Sequence, residues 1–195
     1  YKKRGGNVLW VGHPMIDLTK KLPLKKYSRN ILNLRQDQNI ILLMPASRPQ
    51  ELRYILPTFM RAAKKLQQKY PSLVVYIPSC RIAFDEIFKK AFRKYQVKGF
   101  VISQKDCAKL KPYIYSLTKI AFCKSGTVNM ELALYGIPQI VGYRVSRVTA
   151  FIAKKILNFK IKFISPVNLL VNKLIIPEFV QKELDEKKIF YKSCR

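Results

Sequence analysis

The chain has 195 residues, of which 49% are hydrophobic and 12% aromatic. That composition predicts one globular domain with a buried core and excludes an intrinsically disordered chain, which would carry few aromatic residues. Lys and Arg number 38 against 11 Asp and Glu, so the formal net charge is +27. Such an excess predicts attraction to polyanions or to anionic lipid headgroups, and it says nothing about the fold.

Strands and helices alternate along the chain. Strands are predicted at 8–11, 39–45, 73–78, 99–103, 119–122 and 139–143, with a short last strand at 163–164. Helices are predicted at 50–69 (bent or broken at Pro57), 84–95, 106–117, 127–135, 148–157 and 178–184. The run at 39–45 is apolar without alternation, which is typical of a strand covered on both faces. This order predicts a single α/β domain over residues 1–195, a Rossmann-like parallel sheet with helices on both faces.

The charge alone favours nucleic acid as a partner, yet the sequence lacks the features typical of such binding. The basic residues are scattered along helical segments, and the stretch 39–47 has none. No RNA-recognition motif, zinc-finger spacing or long basic tail is present. We therefore expect no specific nucleic-acid partner.

The cysteines and the one histidine argue against a metal or redox centre. Cys80, Cys107, Cys123 and Cys194 form no Cys-x-x-Cys pair, and His13 stands alone. We therefore expect no metal site, and reduced thiols with structural roles.

Ligands of such sheets bind beyond the carboxyl ends of the strands, so the residues that follow each strand are the candidates. Ser47 and Arg48 follow the strand at 39–45, and Arg48 could bind a phosphate. Taken by itself, this segment is better explained as a surface loop in which Ser47 caps a helix.

A second candidate segment opens the helix at 127–135. Ser125, Gly126 and Thr127 are small, and the free N–H groups and dipole of a helix start suit a diphosphate. Ordinary helix capping is the alternative. Glu131, one turn further on, could accept hydrogen bonds from ribose hydroxyls or could be a plain surface charge.

Two further polar residues stand out, but no catalytic set does. Asn168 lies in an apolar setting where its amide needs partners, although it could simply form a loop. His13 follows a predicted strand, and a lone histidine is more often structural than catalytic. The sequence shows no catalytic carboxylate pair, Ser-His-Asp set or nucleophile elbow.

Several motifs occur in an order that resembles the lipid-A-disaccharide synthase family of bacterial glycosyltransferases, which has plant homologues. The resemblance covers nearly the whole chain. It rests on SGTVNMELAL at 125–134, PQIVGYR at 138–144, VGHPMID at 11–17, LMPASR at 43–48 with Glu51, NLL at 168–170, and IPE at 176–178 with Gln181. In the family motifs Ala46 is a glycine, Lys124 is a small residue, and a Leu-Pro pair precedes the asparagine where Pro166 and Val167 stand here.

The resemblance implies the second half of a GT-B fold that binds UDP-diacylglucosamine for transfer to diacylglucosamine 1-phosphate, with inversion at the sugar carbon and with no cofactor or metal. The family's first domain supplies the acceptor site and the proposed general base. We expect that domain and the last helices to lie outside this chain, so no catalytic residue is assigned here and the chain alone should be inactive. The implied nucleotide-sugar-binding residues are Ser47, Arg48, Glu51, Ser125, Gly126, Thr127, Glu131, Tyr143, Arg144, Asn168 and Gln181.

The expected partners follow from the lipid substrates and from the charge. We expect a peripheral protein on the cytoplasmic face of the inner membrane, or in an organelle if the source is a plant or an alga, in contact with an anionic membrane surface. No apolar run reaches the roughly 18 residues that a membrane span needs. The sequence leaves open whether the chain forms a homo-oligomer. The alternatives are another UDP-sugar GT-B transferase or epimerase, or a non-catalytic basic module that binds nucleic acid or anionic membranes.

Overall fold

The computed structural model describes residues 5–9, 11–19, 21–79, 81–146 and 162–194. The elements are α1 (Pro14–Leu18), α2 (Lys25–Ile31), β1 (Asn39–Met44), α3 (Pro49–Lys69), β2 (Leu73–Pro78), α4 (Ile82–Tyr95), β3 (Gly99–Ile102), α5 (Gln104–Leu117), β4 (Thr118–Lys124), α6 (Thr127–Leu134), β5 (Gln139–Tyr143), α7 (Pro166–Val171), β6 (Glu178–Val180), a 3₁₀ helix (Gln181–Glu183) and α8 (Glu186–Ser193).

The six strands form one parallel sheet in the order β3-β2-β1-β4-β5-β6. The chain runs outward from β1 to β3, returns to place β4 beside β1, and then runs outward in the other direction. The boundary between β1 and β4 is therefore the point at which the strand order reverses. This architecture confirms the predicted Rossmann-like α/β fold.

Helices cover both faces of the sheet. In β1, Ile41 and Leu43 face a core built with α3, α4 and α8. Ile40 and Leu42 face a second core built with α5 and α6. All four side chains have no solvent exposure. A strand buried on both faces needs apolar residues at every position, which explains the unbroken apolar run.

Of the two effects predicted for Pro57, a bend or a break, the break is wrong, because α3 is one helix from Pro49 to Lys69. A proline inside a helix removes one main-chain hydrogen bond and crowds the preceding turn. The residues on either side of Pro57 hold the helix together, since Leu56 and Phe59 are both buried in the same core.

The ends of the chain differ from the prediction. Residues 8, 9 and 11 are not in a strand, and Phe163 and Ile164 do not form one. Residues 178–184 were predicted to be a helix, but they form β6 and a 3₁₀ turn, because Glu178–Val180 pairs with the free edge of β5. The helix predicted at 148–157 lies outside the described residues.

Candidate nucleotide-binding site

The two loops selected from the sequence leave the sheet side by side. In the sheet register Met44 of β1 is the partner of Cys123 in β4, and Lys124 is the partner of Gly142 in β5. The loop with Ser47 and Arg48 and the loop with Ser125 therefore emerge at the same carboxyl edge, on both sides of the strand-order reversal. This is where sheets of this type bind ligands.

A cleft of about 620 Å³ opens beside the Arg48 loop. It is rich in cationic and aromatic side chains, which suit an anionic ligand that carries a flat ring. Its lining residues are Arg48, Pro49, Gln50, Glu51, Arg53, Tyr54, Tyr143, Arg144, Val145 and Ser146. Ser47 and Arg48 are exposed, and Arg48 belongs to none of the ion pairs between described residues.

The start of α6 is shaped by a buried asparagine that the sequence analysis did not select. The Oδ1 of Asn129 accepts a hydrogen bond from the N–H of Gly126 at 2.9 Å, and its Nδ2 donates to Cys123 Sγ at 3.0 Å. Gly126 adopts φ +157° and ψ −169°, a conformation that few other residues reach. The main-chain N–H of Gly126 is thus bound by Asn129, whereas those of Thr127 and Val128 have no hydrogen-bond partner among the described residues. These two N–H groups remain available to a ligand, and the diphosphate cradle stays a prediction.

Ser125 and Thr127 stand at this helix start but do not line the cleft described above. The Ser125 hydroxyl donates a hydrogen bond to the main-chain carbonyl of Ile164. This contact ties the α6 loop to the segment that leads into α7.

Glu51, which lines the cleft, forms an ion pair with Lys124. Both of its carboxylate oxygens accept hydrogen bonds from Lys124 Nζ at 2.8 Å. Glu51 thus lies at the cleft, as the resemblance implied, but its carboxylate is bound to a lysine that the family motif lacks.

Glu131 is also held by a lysine. Its Oε1 accepts a hydrogen bond from Lys111 Nζ of α5 at 2.5 Å. Burial, with a smaller contribution from Glu131, raises the pKa of the neighbouring Tyr115 hydroxyl far above its ordinary range. Whether Glu131 contacts a ribose stays a prediction.

Arg144 and Gln181 are joined to each other. Arg144 Nε and Nη2 donate to the main-chain carbonyl of Gln181 at 3.1 and 2.9 Å, and Nη2 also donates to that of Leu184. Burial and the nearby charge of Arg61 lower the pKa of Arg144. Both residues were expected to bind nucleotide-sugar; in the structure they fasten the end of β5 to the turn after β6.

Asn168, which was expected to line the cleft, is not among the residues that line the cleft described above. Its side chain is fully buried. Its Nδ2 donates to the Ile176 carbonyl and to Glu178 Oε1 at 2.7 Å each, and its Oδ1 accepts from the N–H groups of Ile175 and Ile176 at 3.0 and 2.9 Å. All the donors and acceptors of the Asn168 amide are bound within the protein. In the structure the residue therefore holds α7 against β6.

The histidine and the Cys123 thiol have structural positions, and Cys80 lies outside the described residues. His13 Nδ1 accepts a hydrogen bond from the Met15 N–H and caps α1. Burial raises the pKa of the Cys123 thiol to about 12. Among the described residues, no three His, Cys, Asp or Glu side chains gather as metal ligands would, and no helix is long and apolar enough to cross a bilayer.

The sheet and its strand order give the chain the Rossmann-like fold of one half of a GT-B protein. Two solved structures share the fold at low sequence identity. One is E. coli ADP-heptose lipopolysaccharide heptosyltransferase II, with 11% identity, a TM-score of 0.57, and coverage of 94% of this chain and 51% of that one. The other is WaaG, a glycosyltransferase involved in lipopolysaccharide biosynthesis, with 9% identity, a TM-score of 0.61, and coverage of 93% and 45%.

The profile of the lipid-A-disaccharide synthetase family matches residues 1–194, so the chain belongs to that family. The lipid-A-disaccharide synthase of Prochlorococcus marinus strain MIT 9313 is 47% identical over 94% of this chain and 47% of its own length. That of Gloeothece citriformis is 36% identical over 99% of this chain and 49% of its own length. The chain thus spans about half the length of these relatives.

Proposed function

We propose that this chain is the donor-binding half of a lipid-A-disaccharide synthase. It would bind UDP-diacylglucosamine, whose sugar is transferred with inversion to diacylglucosamine 1-phosphate. The observation that carries the proposal is the pairing of β1 with β4, which brings the Arg48 loop and the α6 helix start to one edge of the sheet. Family membership over residues 1–194 supports the choice of substrates over another UDP-sugar transferase or an epimerase.

In this proposal the chain's task is to neutralise the diphosphate. Arg48 is exposed and joins none of the ion pairs between described residues, so its guanidinium can form charge-assisted hydrogen bonds with phosphate oxygens. The N–H groups of Thr127 and Val128, with the positive end of the α6 dipole, would strengthen the binding of the diphosphate. Negative charge grows on the diphosphate as UDP leaves, and these groups would stabilise it without a metal ion or another cofactor. The general base would come from outside this chain, which alone would transfer no sugar.

Calorimetric titration of the chain with UDP tests the proposal. Arg48→Ala should weaken binding by roughly 10- to 100-fold, the size of the charge-assisted hydrogen bonds it removes. The matched control is Arg35→Ala, because Arg35 precedes β1 and so lies at the opposite edge of the sheet. Equal affinity of the wild type and Arg48→Ala would remove Arg48 from the site, and an absence of UDP binding would refute the proposal.

A separate observation supports the proposed contact with a membrane. Five apolar side chains in and just after α7 are more than half exposed: Leu169, Leu170, Val171, Leu174 and Ile175. Lys173 lies among them, and Lys162 is joined to this stretch by a 3.0 Å hydrogen bond to Asn172. Exposed apolar side chains flanked by cations suit the interface of an anionic bilayer. We propose that this surface rests on the cytoplasmic face of the membrane that holds the lipid substrates.

Sedimentation with vesicles tests that contact. Leu169→Ser combined with Leu170→Ser should reduce binding to vesicles that contain anionic lipid. Ile82→Ser, at an exposed position on α4, should leave it unchanged. Binding that persists in the double variant would show that charge alone brings the chain to the vesicle. The proposal further holds that nucleic acid is not a specific partner, and it leaves homo-oligomerisation open.

A further inference from the structure

Lys124 joins the two loops at the carboxyl edge of the sheet. It is the last residue of β4, and its Cε passes 3.9 Å from where a Cβ on Gly126 would lie. Its Nζ then reaches both carboxylate oxygens of Glu51, in the first turn of α3. One side chain therefore crosses the start of α6 and ends at the start of α3.

This ion pair is shielded from solvent. The Lys124 and Glu51 side chains are 19% and 12% exposed, the lowest values among the ion pairs between described residues. Exposed ion pairs contribute little to stability, whereas removing one partner of a buried pair leaves a costly uncompensated charge. The Lys124–Glu51 pair therefore holds the two loops together while no ligand is bound.

The same pair sets the charge that an incoming phosphate meets. While Glu51 binds it, the ammonium of Lys124 adds no net positive charge to the strand ends. The Lys124 side chain passes over Gly126, the residue that precedes Thr127 and Val128, whose N–H groups have no hydrogen-bond partner among the described residues. A diphosphate bound by those groups would compete with Glu51 for the same ammonium, and a diphosphate carries more negative charge than one carboxylate.

We infer that Lys124 exchanges partners: Glu51 holds its ammonium in the empty site, and a nucleotide's diphosphate takes the ammonium when it binds. Glu51 is then a competing counter-ion that weakens donor binding, and it is not itself a ligand of the nucleotide. The inference rests on the proposed function and deepens it. It concerns this chain in particular, because the family motif has a small residue where Lys124 stands.

Four forms of the chain, titrated with UDP in a calorimeter, test the exchange: the wild type, Glu51→Gln, Lys124→Met, and the double variant. Glu51→Gln should bind UDP roughly tenfold more tightly than the wild type, since the competitor is gone. Lys124→Met should bind roughly tenfold more weakly. Methionine keeps the apolar stem over Gly126, so the change removes the charge and little of the packing.

The comparison of Glu51→Gln with the double variant decides the role of Lys124, because neither protein carries an unpaired Glu51. It remains decisive even if Lys124→Met fails to fold. We expect roughly a tenfold difference in UDP affinity between the two. Asp37→Asn is the control for net charge, since Asp37 is exposed and lies before β1, at the opposite edge of the sheet.

The following outcomes would each contradict the proposed exchange of partners by Lys124. Weaker UDP binding by Glu51→Gln would show that Glu51 supports the nucleotide. Equal affinity of Glu51→Gln and the double variant would show that Lys124 never meets the phosphate. If Arg48→Ala still weakens binding in that case, the exchange fails while the proposed function stands. If no form binds UDP, both fail.

Discussion

Replacing Asn168 by alanine separates a structural role from a ligand-binding one. The buried amide of Asn168 forms four hydrogen bonds, which join α7 to Glu178 of β6 and to Ile175 and Ile176 before it. Glu178 completes this arrangement, because its carboxylate accepts hydrogen bonds from the N–H groups of Ile164 and Ser165 at 2.8 Å. Asn168→Ala should therefore destabilise the fold whether or not a nucleotide is present.

The size of the effect follows from the groups that lose a partner. The Ile176 N–H and carbonyl belong to a buried residue, whereas Ile175 is 54% exposed and its N–H can turn to water. Glu178 keeps its two main-chain donors. Two buried orphaned groups at about 1–3 kcal/mol each predict a loss of about 2–6 kcal/mol. That is a large part of the roughly 5–15 kcal/mol that stabilises a typical domain.

Urea denaturation followed by circular dichroism measures this loss. Leu169→Ala is the matched control, because Leu169 is the next residue on α7 and is 54% exposed. It should change the free energy of unfolding by no more than about 0.5 kcal/mol. If Asn168→Ala costs less than about 1 kcal/mol and yet abolishes UDP binding, Asn168 is a ligand-binding residue and our structural assignment is wrong.

Two further predictions concern packing and pH. A Cβ on Gly142 would lie 2.6 Å from Leu184 Cδ1 and 2.7 Å from Phe59 Cε1, so Gly142→Ala should cost about 1–3 kcal/mol in urea denaturation; an unchanged midpoint would contradict this. Burial raises the pKa of the Cys123 thiol from 9.0 to about 12, so its stabilisation is complete below pH 9 and is lost as the pH rises toward 12, by up to about 1.4 kcal/mol per pH unit. Cys123→Ala should show a shallower alkaline loss of stability, and an unchanged slope would refute this.

The strands were the most predictable part of the fold. Those predicted at 73–78 and 139–143 match β2 and β5 to the residue. A strand covered on both faces is apolar at every position, so its pattern can be recognised without its neighbours. The same local logic identified the loops of Arg48 and Ser125, because small and charged residues follow those strands directly.

Edge and terminal segments were less predictable. The stretch 178–184 has a helical pattern, yet pairing with β5 makes its first part β6, and Gln181 then takes a φ of +53°, which no α-helix allows. Local preference is weak in such a segment, and the free edge of a sheet overrides it. The helical turn of α7 likewise depends on the hydrogen bonds of Asn168 with residues that follow it.

By itself, the sequence determined that this is a parallel α/β domain of the lipid-A-disaccharide synthetase family, since apolar runs and motif order are local properties of the chain. Only the tertiary structure decided which side chains meet. Lys124 and Glu51 are 73 positions apart, and Arg144 reaches the Gln181 carbonyl across 37. Contacts over such distances are set by the order in which strands pair, and no local pattern encodes them. The sequence could therefore name Glu51 and Arg144 as site residues, but it could not show that each is already bound to another part of the chain.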